Sequence, residues 1–203
     1  ILSEQEGPYF ATGIRIGDVS QNEAIVWTRL TKNKTRVNNA LLPISIYTDP
    51  ESGKKHLRKT RRDKNPLIYF PEGHDIETIE GAVPGKTGEV RLKYKIKTAK
   101  KWTITKWNAV DPEANFSKKF ILSNLKSGVD YDLLVEGKPT GSEKISATFT
   151  GKFKTAPNTK VSRKVTFGVS TGQGYDHQDR PDGFKIYPLM LELGVDFFVH
   201  TGD

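Results

Sequence analysis

The sequence predicts a mainly β protein, an antiparallel β-sandwich followed by the first βαβ unit of an α/β domain. Short runs of alternating apolar and polar residues, separated by turn residues, fill the chain up to about Pro157. No convincing helical period precedes residue 160. After that point the pattern changes to a strand, a loop, a helix and a second strand within residues 165–203.

Seven segments of the first part have the composition of strands. They combine β-branched or aromatic residues with polar ones and end in residues that favour turns. Residues 91–97 are the clearest, because basic side chains alternate there with Leu, Tyr and Ile. The segments are residues 10–17, 23–30, 41–47, 91–97, 116–122, 131–135 and 144–154. About seven turn-linked strands in roughly 150 residues indicate an antiparallel sandwich.

Residues 125–135 contain a Leu, a tight Gly turn and a Tyr that opens a strand. In sandwich domains such a tyrosine can form a corner, in which its hydroxyl bonds to backbone a few residues upstream. Tyr131 is therefore predicted either as a corner residue or as an ordinary core tyrosine. Neither interpretation makes Tyr131 catalytic.

The chain divides into a sandwich domain at residues 1–157, a polar, basic linker at residues 158–164 and an α/β portion at residues 165–203. Apolar strands of the buried type are predicted at 165–170 and 195–200, and a helix at 184–193 that ends at Gly194. One βαβ unit cannot cover both faces of its sheet. We therefore expect the α/β portion to be the incomplete start of a larger domain.

The composition excludes several classes of protein. The sequence contains no cysteine, which excludes a disulfide framework, thiol catalysis and thiolate metal sites. No apolar run approaches the about 18 residues of a membrane span, so none is predicted. The net charge of +8 favours phosphates or polyanions without specificity, or simply keeps the protein soluble.

A candidate metal ligand stands at the end of the sequence. Asp203 closes the run His200-Thr201-Gly202-Asp203, just past a strand, where open α/β sheets bind their ligands. The glycine permits a tight turn, and the carboxylate offers the hard oxygens that divalent and trivalent ions prefer. A helix cap or a bare chain end is the alternative interpretation of Asp203.

Two further candidates lie in the Gly- and Asp-rich loop at residues 171–183. Asp176 and His177 offer a carboxylate and an imidazole close to the predicted strand end. A loop that is merely solvated explains the same two residues.

Three stretches of the chain resemble the PhoD-like phosphatases and phosphodiesterases of the calcineurin-like metallophosphoesterase superfamily. They are residues 10–30 with Trp27-Thr28-Arg29-Leu30, residues 125–157 with Phe153-Lys154-Thr155-Ala156-Pro157, and residues 167–203 with Phe167-Gly168-Val169-Ser170 and His200-Thr201-Gly202-Asp203. The resemblance implies a fibronectin III-like or purple-acid-phosphatase-like sandwich in front of a two-metal domain.

The same resemblance implies a site and a reaction. Asp203 would ligate the metals, usually as a bridge between them. Two or more divalent or trivalent ions are implied, with Ca, Fe, Zn and Mn all open. They would clamp a phosphate ester and activate a water for in-line attack. We also expect export to the periplasm, the cell surface or the medium, with no leader in the sequence itself.

The sequence departs from the pattern of the superfamily in two places. The first motif is usually Asp-x-His, or carries a Cys in PhoD-like members, whereas this chain has Val169-Ser170-Thr171-Gly172. The first metal ligand and the identity of the metal are therefore open. The later Asn-His-Asp/Glu and Gly-His-x-His motifs have no counterpart in the sequence, so we expect these 203 residues alone to be inactive. The alternative function is a non-catalytic fibronectin III-like binding module.

Basic and aromatic residues outside this pattern give weaker predictions. Residues 54–64 contain seven Lys or Arg and, with the basic face of residues 91–97, could form a polyanion-binding patch. A solvated edge hairpin is the alternative, and no specific nucleic-acid recognition is expected. Trp102 and Trp107 flank a predicted short strand and could form an exposed stacking platform for a sugar or base, or pack in the core.

Overall fold

Strands dominate the computed structural model, which describes residues 7–57, 66–174, 177–180 and 183–202. In chain order the elements are β1 (Ile14–Gly17), β2 (Ala24–Arg29), β3 (Ile44–Thr48), β4 (Lys55–His56), β5 (Leu67–Tyr69), β6 (Glu89–Ile96), β7 (Thr103–Ile104), β8 (Asn108–Ala109), β9 (Ser117–Leu122), β10 (Asp130–Lys138), β11 (Ala147–Lys154), β12 (Phe167–Ser170), α1 (Ile186–Glu192) and β13 (Phe197–His200).

Two antiparallel sheets form the sandwich. One has the strand order β1-β2-β9, and the other has the order β11-β10-β6-β7, with β8 also paired to β6. The buried core draws on both sheets, with Val26 and Phe120 from the first and Leu92 and Leu133 from the second. The predicted mainly β, antiparallel architecture is confirmed.

The period of two along each strand explains this core. In β10 the side chains of Tyr131, Leu133 and Val135 are buried, and their register partners in β6 include Leu92, which is fully buried. Successive side chains of a strand point to opposite faces of the sheet, so one face of β10 can enter the core while the other carries polar groups. The alternation of apolar and polar residues in the sequence therefore indicates which face of the strand packs in the core.

A tyrosine corner closes one end of the sandwich. The backbone N–H of Lys126 donates a hydrogen bond to the Tyr131 hydroxyl at 2.8 Å. The Tyr131 ring is buried and stacks on Phe153 with ring centroids 5.2 Å apart. Thr155 reinforces the turn by donating from its hydroxyl to the Lys126 carbonyl at 2.6 Å. The corner interpretation of Tyr131 is confirmed.

A small third sheet with the order β4-β3-β5 is separate from the two sheets of the sandwich. The predicted strand at residues 41–47 begins later than expected, at Ile44. β5 and β8 were not predicted, because two or three residues are too few to show a period. β7 lies where a short strand was expected between Trp102 and Trp107, and β4 lies in the run for which an edge hairpin was one interpretation. Most of the basic run at residues 54–64 falls on residues 58–65, which lie outside the described residues.

The predicted βαβ unit is present. β12 and β13 pair in parallel, and α1 packs on one face of the pair, where Tyr187 meets Phe198 edge to face at 5.4 Å between ring centroids. Both strands have the apolar composition of buried strands, but they are largely exposed among the described residues. Phe197 is 49% exposed and Val169 is 52% exposed, which agrees with the expectation that one βαβ unit cannot cover both faces of its sheet. In the described ranges, no helix has the length and apolar composition needed to span a bilayer.

Candidate metal site at the carboxyl ends of two parallel strands

The loops that follow β12 and β13 leave the sheet side by side. Ser170 and His200 are register partners at the ends of the two parallel strands. The Thr201 N–H donates to the Ser170 carbonyl at 3.0 Å, which extends the pairing by one step. The Thr171 hydroxyl then donates to the Gly202 carbonyl at 2.8 Å, so the two loops are tied to each other.

Gly202 adopts a backbone conformation that favours glycine. Its φ of +94° lies in the left-handed half of the map, where a side chain would be strained. The Gly172 N–H also donates to the Gly202 carbonyl, at 3.3 Å. The residue before Asp203 is thus held at the edge of the sheet, as the sequence predicts. Asp203 lies outside the described residues, and its role as a metal ligand stays a prediction.

His200 is oriented by the same turn. Its Nδ1 accepts a hydrogen bond from the Gly202 N–H at 3.1 Å, which in the neutral imidazole leaves the proton on Nε2. Its ring also meets Phe198 edge to face, with ring centroids 6.3 Å apart. The sequence pattern alone assigns no role to His200. The only local signal was its position two residues before a glycine.

The structure describes only one of the two further candidate metal ligands, Asp176 and His177. Asp176 lies outside the described residues, whereas His177 is described and exposed. The His177 N–H donates to the Gly174 carbonyl at 3.1 Å. Across the described ranges, no group of three His, Cys, Asp or Glu side chains is arranged to hold a metal ion. A ligand role for Asp176 or His177 therefore stays a prediction.

A loop of the sandwich reaches the edge of the α/β portion. The Arg36 guanidinium donates to the Gln178 side-chain oxygen at 3.3 Å, across 142 positions of sequence. From the other side, the Tyr187 hydroxyl on α1 donates to the Gln173 side-chain oxygen. The loop after β12 is thus held from two directions. Sequence reasoning missed the Arg36 contact, since no local pattern indicates so distant a partner.

The donor chemistry of this edge is mostly neutral. Ser170, Thr171, Gln173 and His200 offer hydroxyl, amide and imidazole groups. Divalent and trivalent ions prefer sites that include carboxylate oxygens. These residues therefore fit a hard cation only in combination with a neighbouring carboxylate, and Asp203 is the one that follows directly in the sequence.

Asp196 cannot supply that carboxylate, because it lies at the amino end of β13 and is already engaged. Its Oδ2 accepts a hydrogen bond from the Thr166 N–H at 3.0 Å, and Oδ1 accepts one from the Arg163 guanidinium. The Thr166 hydrogen bond, followed by the positive charges of Arg163 and Lys154, lowers the pKa of Asp196 despite some desolvation. The contact joins β13 to the segment before β12.

Trp102 and Trp107 lie outside the buried core, contrary to the core-packing interpretation. The Arg91 guanidinium lies over the Trp107 ring at 4.5 Å from its centroid, and Lys138 lies over the same ring at 4.7 Å. Lys95 lies over Trp102 at 5.3 Å. The rings therefore pack against cationic side chains of the protein itself.

Carboxylates alternate with the basic side chains on this outer face of β6 and β10. Glu136 is almost fully buried and pairs with both Arg91 and Lys93, the latter at 3.2 Å. Lys95 pairs with Asp132 at 3.6 Å. The basic face of residues 91–97 was a candidate for part of a polyanion-binding patch. Part of its positive charge is neutralised by carboxylates within the sheet.

These elements define a class of architecture, an antiparallel β-sandwich followed by a parallel βαβ unit with tied loops at its strand ends. The chain is similar to the solved structure of PhoD, at 16% identity and a TM-score of 0.59, over 100% of this chain and 28% of that chain. It thus spans less than a third of the PhoD structure. At this identity the likeness shows the fold alone.

Other matches are weaker. A two-domain fibronectin type III segment from chicken tenascin covers 70% of this chain and 97% of its own, with 16% identity and a TM-score of 0.28. A myokine structure covers 74% of this chain and 99% of its own, with 9% identity and a TM-score of 0.38. TM-scores this low support no conclusion about the fold or the function of this chain. Neither a protein-family model nor a curated protein sequence matches the chain.

Proposed function

We propose that this chain forms the amino-terminal part of a metal-dependent phosphatase or phosphodiesterase that hydrolyses phosphate esters. The supporting observation is the tied loop edge at the carboxyl ends of β12 and β13, with Gly202 held directly before Asp203. Open α/β sheets bind their ligands at such an edge. The likeness of the whole chain to PhoD in fold supports the same class.

Asp203 is assigned the central role in this proposal. Its carboxylate would be the anionic ligand, and the imidazole of His200 lies at the same edge, oriented by Gly202. Asp176 and His177 are the further candidates for ligands. When bound, two or more metal ions would hold phosphate oxygens and lower the pKa of a bound water, which supplies the nucleophile.

The test is Asp203→Asn in the whole protein that contains this chain. Asparagine keeps the shape of the side chain but loses the charge that a bridging ligand needs. We expect lower metal content and a kcat for bis-p-nitrophenyl phosphate reduced by on the order of a hundredfold. Asp179→Asn is the matched control, because the Asp179 carboxylate accepts the Lys185 N–H at 2.8 Å and has no role in the proposed site.

Several outcomes would contradict the proposal. Full metal occupancy and unchanged turnover in Asp203→Asn would remove Asp203 from the site. A whole protein that binds no metal and cleaves no phosphate ester would favour the non-catalytic binding module instead. Chelator-sensitive turnover by the 203 residues alone would contradict the expectation that this chain needs further ligands for activity.

A further inference from the structure

Arg29, the last residue of β2, is a buried cation without an anionic partner in the described part of the chain. The residue is 9% exposed. The ion pairs found among the described residues do not include it, and its recorded contacts are all with neutral oxygens. A buried charge that is not compensated by an opposite charge is costly, so an arrangement of this kind invites an anion.

The hydrogen bonds that Arg29 makes to described residues leave part of its donor capacity unused. Nε donates to the Asn115 carbonyl at 2.9 Å, and one terminal nitrogen donates to the Asn115 side-chain oxygen at 2.9 Å. The other terminal nitrogen donates to the Val83 carbonyl at 2.7 Å. A guanidinium carries five N–H groups, so one remains on each terminal nitrogen. Two such donors can bind a carboxylate in bidentate fashion.

The backbone that surrounds Arg29 is strained. Asn115 and Phe116 have φ values of 53° and 56°, and two consecutive left-handed residues other than glycine are costly, above all for a bulky Phe. The strained turn places the Asn115 carbonyl on Arg29 and lets the Phe116 carbonyl accept the Leu30 N–H at 3.0 Å. Strain of this kind is often kept where a ligand binds.

A cleft of about 490 Å³ opens beside this turn. Arg29, Asn115 and Phe116 line it together with the segment at residues 76–85. Gly85 allows the close approach of the two walls, because a Cβ there would stand only 1.9 Å from the Phe116 ring. Ile76 is 71% exposed and therefore stands at the mouth of the cleft.

We propose that this cleft is an anion-binding site that takes a small organic carboxylate with an apolar body. The carboxylate would pair with the two remaining N–H groups of Arg29, and the apolar body would lie against Phe116 and Ile79. Glu77 and Glu80 also line the cleft without pairing with Arg29, and Glu80 accepts the Ala40 N–H at 3.0 Å. The two carboxylates repel every anion, but they repel a doubly charged inorganic phosphate more than a singly charged carboxylate. The site belongs to the sandwich and does not depend on the proposed phosphoesterase activity.

Burial is also reflected in the titration of Arg29. Desolvation lowers the pKa of its guanidinium, because burial disfavours the charged form. An arginine nevertheless remains protonated in a protein. The cation is therefore present in the cleft throughout the neutral pH range.

The test is an NMR titration of the 203-residue chain with benzoate, with the neutral benzamide as the matched ligand. We expect saturable shifts of the Arg29 Nε–H and of the Ile79 and Phe116 resonances, and at least tenfold tighter binding of benzoate. Equal binding of benzoate and benzamide, or an unshifted Arg29 Nε–H, would overturn the proposal. Inorganic phosphate that shifts Arg29 as strongly as benzoate would overturn the assignment to a carboxylate.

A pair of variants at the mouth of the cleft tests the charge directly. Ile76→Asp adds a negative charge, whereas Ile76→Asn adds a neutral side chain of the same size. We expect about tenfold weaker benzoate binding for the aspartate than for the asparagine. Ile121→Asp, at a residue that is 66% exposed on β9, should leave binding unchanged. Equal affinity of the two Ile76 variants would contradict the proposal, and Arg29 itself stays intact throughout because it holds two loops.

Discussion

The sandwich and the βαβ unit differ in what they bury. Among the described residues, the thirteen that form the buried apolar core all lie between Phe10 and Val135, within the sandwich. Among the described residues from 165 to 202, none is buried. Both regions nevertheless contain strands with many apolar side chains. The difference shows that the side chains of an apolar strand are buried only where a second layer packs on its face.

The contrast follows from the number of layers on each strand. The inner faces of β2 and β10 lie between the two sheets, and Val26, Leu133 and Val135 are at most 1% exposed there. α1 packs on one face of β12 and β13, while Phe167 and Phe197 stack on each other at 5.3 Å and remain about half exposed. Burial contributes roughly 25 cal/mol for each Å² of apolar surface, so the sandwich gains far more.

The largest expected effect comes from truncating one leucine in each region. Leu133→Ala leaves a cavity between the two sheets and should lower the free energy of unfolding by about 3 kcal/mol. Leu191→Ala on α1 is the matched control, because Leu191 is 78% exposed. This variant should change the free energy of unfolding by less than about 0.5 kcal/mol. Urea unfolding of both variants measures the difference. If both variants lost the same free energy of unfolding, the difference in burial between the two regions would not explain their stability.

The sequence was most informative where the strands are long. The alternation at residues 91–97 predicts β6, which runs from Glu89 to Ile96, because each second side chain enters the core. The Leu, Gly and Tyr pattern at residues 125–131 predicts the corner at Tyr131, because all the residues of this motif are close together in the sequence. β7 and β8 have two residues each and leave no period to read.

The candidate site and the cleft show what a sequence cannot indicate. The strand end before Asp203 could be predicted, because it follows from a local strand, glycine and carboxylate pattern. The contact of Arg36 with Gln178 and the bonds of Arg29 to Asn115 join residues that are 142 and 86 positions apart. The exposure of β13 agrees with the expectation that one βαβ unit cannot cover both faces of its sheet, since composition reports what a strand can bury and not which layers pack on it.

A smaller effect compares one tyrosine hydroxyl in each region. Tyr131→Phe removes the acceptor of the Lys126 N–H and should lower the free energy of unfolding by about 1 kcal/mol, because the corner then loses its hydrogen bond. Tyr187→Phe removes the hydrogen bond to Gln173 in the more exposed βαβ unit, and it should lower the free energy of unfolding by a smaller amount. Thermal and urea unfolding provide the measurement. A greater loss for Tyr187→Phe would reverse the comparison.

The smallest effect is a pH dependence confined to the βαβ unit. The folded-state pKa of Asp196 lies below its ordinary value of 3.8, chiefly because the Thr166 N–H bonds to the carboxylate. A lowered pKa means that the ionised group stabilises the folded state above the unfolded-state pKa, and that this contribution is lost as the pH falls through the folded-state pKa. The protection factor of the Thr166 N–H, which is its exchange rate compared with that of an unstructured amide at the same pH, should therefore fall below about pH 4. The Val135 N–H in β10 should stay protected. Asp196→Asn keeps an acceptor oxygen but does not titrate, and should abolish that acid dependence. The same loss of protection in Asp196→Asn would assign the effect to another group.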